Sequence, residues 1–101
     1  MIKDTVKRIE ETVDYDKFSL IEGNRPFNKG LLLTLEESIV EEGNYLADNP
    51  IIVNERLEII DGQHRWNIAK KLHLPLYYII SNGLGLREAK FIFRASFEIG
   101  L

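Results

Sequence analysis

The stretch from Asn49-Pro50 to Pro75 is the part of this chain that most narrows its fold. Ile51-Ile52-Val53 is a β-branched run suited to a pleated surface, and Leu57-Glu58-Ile59-Ile60 is a second apolar run of strand length. The short polar link Asn54-Glu55-Arg56 makes the two a hairpin. After Asp61-Gly62 the period changes: Trp66, Ala69 and Leu72 recur at helical spacing over about residues 63 to 72, and Pro75 stops the pattern. Leu76 to Ile80 then reads as a third strand. A strand, turn, strand, helix, strand order predicts an α/β (α+β) domain with a small mixed sheet flanked by helices.

The remaining segments fit around that unit. Ile2, Val6, Ile9 and Val13 recur at helical spacing among charges, which predicts an amphipathic helix over about residues 2 to 13. Residues 18 to 21 read as a strand that runs into the polar turn Glu22-Gly23-Asn24-Arg25-Pro26. Thr34 and Glu37 have capping-box spacing, so a helix of two to three turns is expected to start at Thr34, bury Leu35 and Ile39, and end at a left-handed Gly43. Residues 86 to 99 look helical, with Phe91, Phe93 and Phe97 crowded on that last helix, where they either close the core or offer a surface to a partner. The expected sheet therefore uses residues 18 to 21, 51 to 53, 57 to 60 and 76 to 80.

Composition removes several classes of function. With 101 residues and 45% hydrophobic residues the chain has the make-up of one domain, 1 to 101, with one site. A net charge of -3 gives no overall pull on a polyanion, so direct DNA binding is not expected without another domain. With no cysteine and only His64 and His73, thiolate chemistry and a conventional zinc site are both disfavoured. The apolar runs fall far short of the roughly 20 residues that span a bilayer. No signal-peptide pattern opens the sequence, so a cytoplasmic location is expected.

Chemistry concentrates at Asp61-Gly62-Gln63-His64-Arg65, where a strand feeds a helix. Helix starts leave backbone amides unpaired at the positive end of the dipole, and anions bind there. Gly62 lets a ligand approach the backbone, Arg65 can fork onto phosphate, and His64 can donate or carry a proton. Asp61 can cap the helix or hold a metal through water. The same residues also fit a purely structural account, in which Asp61 is an N-cap, Gly62 a turn residue, and His64 and Arg65 ordinary surface groups.

In sequence order, Asn24-Arg25-Pro26, Leu35 to Ile39, Gly43, Asn49 to Val53, Leu57 to Arg65 and Ala69 to Pro75 resemble the successive boxes of the ParB/sulfiredoxin superfamily. The resemblance covers about residues 18 to 80. The Asp-Gly-Gln-His-Arg form is similar to members seen among phage and mobile-element proteins. ParB proteins use the glycine and arginine of this box on the triphosphate of CTP, and sulfiredoxins use theirs on ATP. The resemblance thus implies a nucleotide site (CTP or ATP, with Mg2+) formed by Gly62, Gln63, His64 and Arg65, with Arg25 and Ser38 lining the same pocket. Gln63 stands where sulfiredoxins carry their cysteine, which excludes sulfinic-acid reduction. Arg25 stands near the place where amino-acid kinases of this fold carry an acid, with only Glu22 close by, which argues against kinase activity.

Three readings follow. The first is nucleotide or phosphate binding, with weak NTP hydrolysis in which Asp61 and His64 are the catalytic candidates. The second is a metal-dependent nuclease or DNA-modification accessory protein, with His64 as base and Asp61 and Glu58 as ligands. The third is a non-enzymatic phage or host interaction protein that binds a partner, or itself, through the C-terminal helix.

Overall fold

A computed structural model describes residues 7 to 90. Five strands form one mixed sheet: β1 (Ile9–Thr12), β2 (Ser19–Leu20), β3 (Ile51–Val53), β4 (Glu58–Asp61) and β5 (Leu76–Ile80), in the spatial order β1-β5-β3-β4-β2. The β1/β5 and β3/β4 pairs are antiparallel, whereas β3/β5 and β2/β4 are parallel. The helices are α1 (Lys29–Glu41), the single turn α2 (Tyr45–Asp48) and α3 (Gln63–Leu72), with a 3-10 turn at Tyr15–Lys17. Residues 86 to 90 are also helical. The expected mixed sheet and flanking helices are therefore present.

β3 occupies the centre because its side chains tolerate burial. Ile51 and Val53 are fully buried, and Ile59, Ile68 and Leu76 close over them at 1% exposure or less. Each such side chain contributes about 1.5–3 kcal/mol through removal from water. Helix α3 connects β4 to β5 across β3, which places its N-terminus at the end of β4. Lys70 and Lys71 in its last turn complement the helix dipole. It stops where His73 turns left-handed at φ 59° and its N–H donates to the Ala69 and Lys70 carbonyls. Pro75 follows two residues later.

Three expectations fail here. Ile9–Thr12 is a strand, not part of a helix, because the outer edge of β5 is open to it; the pairing joins Ile9 with Ile79 and Thr12 with Leu76. Its helical spacing depended on Ile2 and Val6, which lie outside the described residues. Second, α1 starts at Lys29, not at Thr34: Asn28 is its N-cap, and the Asn28 side chain accepts from the Leu31 amide. The Thr34/Glu37 capping box is therefore unused. Third, α1 ends on Glu42 in extended conformation, and Gly43 is not left-handed. The expected helix beyond residue 90, with Phe91, Phe93 and Phe97, lies outside the described residues.

Candidate functional site

Gly62 is the joint between β4 and α3. Its φ of 107° is left-handed, and a Cβ there would sit 2.5 Å from Ile51 Cγ2 and 2.8 Å from an Arg65 terminal nitrogen. Glycine is required both for the turn and for the close packing on β3. Gly62 itself is the N-cap and α3 has no side-chain cap, so Asp61 does not take the capping role that its position suggested. Asp61 instead faces Arg65, with Oδ2 3.6 Å from the guanidinium.

Arg65 folds back beneath the turn. Its side chain is 20% exposed, and a terminal nitrogen donates to the Pro50 carbonyl at a long 3.4 Å. Its Nε is buried with no hydrogen-bond partner among the described residues. The guanidinium is thus mostly desolvated and held by two long contacts, short of the 2.7–2.9 Å of a strong charge-assisted bond. A surface-charge account does not describe it.

Gln63 and His64 are both buried, and both reach toward the turn around Arg25. Gln63 Nε2 donates to the Arg25 carbonyl at 2.7 Å. The Asn28 amide donates to His64 Nε2 at 3.1 Å. Because Nε2 accepts, the proton of the neutral ring resides on Nδ1. Phe27 meets the imidazole edge-to-face at 5.4 Å between centroids. Burial, and then the neighbouring Arg65 charge, hold the His64 pKa below its ordinary value.

The structure brings the backbone of segment 24 to 28 onto the start of α3 through Gln63 and His64. Ser38 is not brought there. The two helices run alongside each other, with Asn28 at His64 and Glu36 bonded to Lys71 at 2.9 Å. Ser38 lies beyond Glu36, toward the far end of α3, and its hydroxyl donates back to the Thr34 carbonyl. The residues that sequence reasoning missed are Asn28, Phe27 and the Pro50 carbonyl. Asn28 was findable: it is a favoured N-cap, and Phe27 and Leu32 flank it at hydrophobic-staple spacing.

The metal-ligand set fares poorly. Glu58 is bonded to Asn54 Nδ2 at 2.7 Å and to the Arg56 guanidinium, and these partners, Asn54 first, hold its pKa down. Asn54, fully buried, organises that hairpin turn and also donates to the Leu84 carbonyl. Among the described residues no group of three or more His, Asp or Glu could hold a metal ion. No described helix is long and apolar enough to cross a membrane.

No family model and no curated protein matches the chain. Among solved structures it is similar to the C2221 form of a Pnob8-like ParB-N domain, with a TM-score of 0.54 and 22% sequence identity. That similarity covers 75% of this chain and 31% of the other, so the chain matches about a third of the ParB-N protein's length. The fold is ParB-N-like.

Proposed function

We propose that the chain binds a phosphate-bearing ligand at the start of α3, with a nucleotide such as CTP or ATP plus Mg2+ as the ligand class. The carrying observation is Arg65: a guanidinium mostly out of water, with two long contacts and a buried Nε that has no acceptor among the described residues. An unsatisfied buried donor costs about 1–3 kcal/mol, more when charged, and a phosphate oxygen is an acceptor that would relieve it. The same guanidinium lies against Gly62, at the helix start that no side chain caps. Gly62 and Arg65 are the proposed core of the site, Gln63 and His64 position segment 24 to 28 over it, and Arg25 on that segment brings a second cation.

Slow hydrolysis belongs to the same proposal. His64 Nε2 is engaged by the Asn28 amide and Asp61 faces Arg65, so neither is poised as a strong base in this state. The nuclease reading loses its support because Glu58 is committed to the hairpin turn.

Thermal unfolding with CTP, ATP, GTP and ADP, each with and without Mg2+, tests the reading. A ligand at 100 times its Kd adds about 2.7 kcal/mol of stability. For a domain of this size that raises Tm by on the order of 10 °C or more. Arg65→Ala should abolish the rise. No shift with any of the four nucleotides would sink the proposal.

A further inference from the structure

We propose that Asn82 is a site of self-modification: the Gly83 nitrogen closes on the Asn82 side-chain amide, water reopens the ring to leave aspartate or isoaspartate, and Glu55 holds the reaction back. Asn82 is the one asparagine of the chain that is followed by glycine. The others precede Arg, Lys, Tyr, Pro, Glu or Ile, whose side chains or ring hinder the following nitrogen. Asn82 and Gly83 are both exposed, in the turn that β5 runs into. Gly83 takes a left-handed φ of 86°, with nothing within 4 Å of the place a Cβ would occupy. Solvent and the side-chain amide therefore reach the bond. The Asp61-Gly62 pair could close the same ring by losing water, but there Asp61 faces Arg65 and Gly62 is fixed by packing against Ile51.

Water is the only co-reactant the chemistry needs. The Gly83 N–H gives its proton to water, the N–Cγ bond forms as Cγ–Nδ2 breaks, and ammonia leaves; a second water then splits either imide C–N bond. One side-chain amide and one water become a carboxyl group and ammonia. Attack requires a deprotonated Gly83 nitrogen, yet that N–H donates to Glu55 Oε1 at 2.9 Å. The same bond is the first cause that holds the Glu55 carboxyl below its ordinary range. An amide anion there would face a carboxylate at bonding distance, so the bond keeps the proton on nitrogen. Two further ties join the loop to the hairpin on either side of this bond. Ser81 N–H donates to the Val53 carbonyl at 2.8 Å, and Asn54 Nδ2 donates to the Leu84 carbonyl at 2.9 Å. Isoaspartate inserts one carbon into the main chain between those ties and adds a carboxylate close to Glu55. The finished reaction thus removes the bond that slowed it.

The test ages the intact protein in neutral buffer and follows it by peptide mass mapping with isoaspartate detection. Residue 82 should gain about 1 Da, at least about tenfold faster than any other asparagine. In Glu55→Ala the conversion should run about tenfold faster, and Glu55→Gln, which keeps an acceptor without the charge, should fall between. The Glu55 side chain is 43% exposed, so both variants should fold, which circular dichroism checks. In the separated isoaspartate form the Gly83 amide should exchange about tenfold faster than in fresh protein, while Ile51 and Val53 stay protected. Another asparagine converting first, or no mass gain at residue 82 in the wild type and Glu55→Ala alike, would overturn the site. A rate unchanged in Glu55→Ala would overturn the restraint, and so would a slower one, because the carboxylate would then be removing the proton rather than keeping it.

Discussion

The unit from β3 to β5 and the segment from Asn24 to Asn28 meet at Gly62, yet they are held by different forces. In the first, Ile51, Val53, Ala69 and Leu76 are at 0% exposure, and all the elements lie between residues 51 and 80. In the second, mostly exposed residues meet side chains far along the chain through polar bonds, among them those to Gln63 and His64. The first is a body and the second is a fastening. A mutation should cost the body its stability and should cost the fastening its position.

The largest effect is expected inside the body. Ile68→Ala removes a side chain at 1% exposure between α3 and the sheet, and should cost about 2–5 kcal/mol in urea unfolding. A loss under 1 kcal/mol would show that the body is loosely packed. Next comes the joint, where Gly62→Ala places a methyl against Ile51 in a left-handed conformation. It should destabilise by about 2–4 kcal/mol, through the backbone strain of about 1–3 kcal/mol together with overpacking. If it were neutral, close packing would not be what selects glycine there.

Asn28→Ala belongs to the fastening. It removes the N-cap of α1 but leaves the backbone amide that His64 accepts, and should cost about 1 kcal/mol. Circular dichroism and urea unfolding would sharpen the comparison if the loss comes with an unchanged His64 titration. The smallest effect should be at the exposed Lys71 and Glu36 pair. Lys71→Ala should change stability by about 0–1 kcal/mol, shrinking in salt.

The same contrast explains what could be read in advance. The body was legible because hairpin, helix and third strand are each settled by residues within one or two turns of each other, as Gln63–Leu72 and Leu76–Ile80 show. The start of α1 was misread because Thr34 and Glu37 offer a local cap, whereas Asn28 is backed by a hydrogen bond to His64 across the fold. β1 was misread for a similar reason, since nothing near Ile9 in sequence announces the open edge of β5. At the site, the nearness of the Arg25 turn to the start of α3 was an expectation of the resemblance, and what the structure shows of it is the backbone contact with Gln63 and His64. The engagement of His64 and the loose hold on Arg65 were not legible, because spacing carries no information on which acceptors a side chain finds.

The pairing of β1 with β5 also orders events in time. Ile9 must find Ile79, nearly the whole described length away, so this edge bears a far larger loop-closure entropy than the hairpin of β3 and β4. Pairings of that span are slow to form. During synthesis β1 leaves the ribosome first among the described strands, and it has no partner strand until the residues of β5 have emerged behind it. Rate measurements on substitutions along Ile9–Thr12 should accordingly speed unfolding and leave refolding nearly untouched, while changes at Ile59 slow refolding. Equal effects on both would mean that β1 and β5 find each other early.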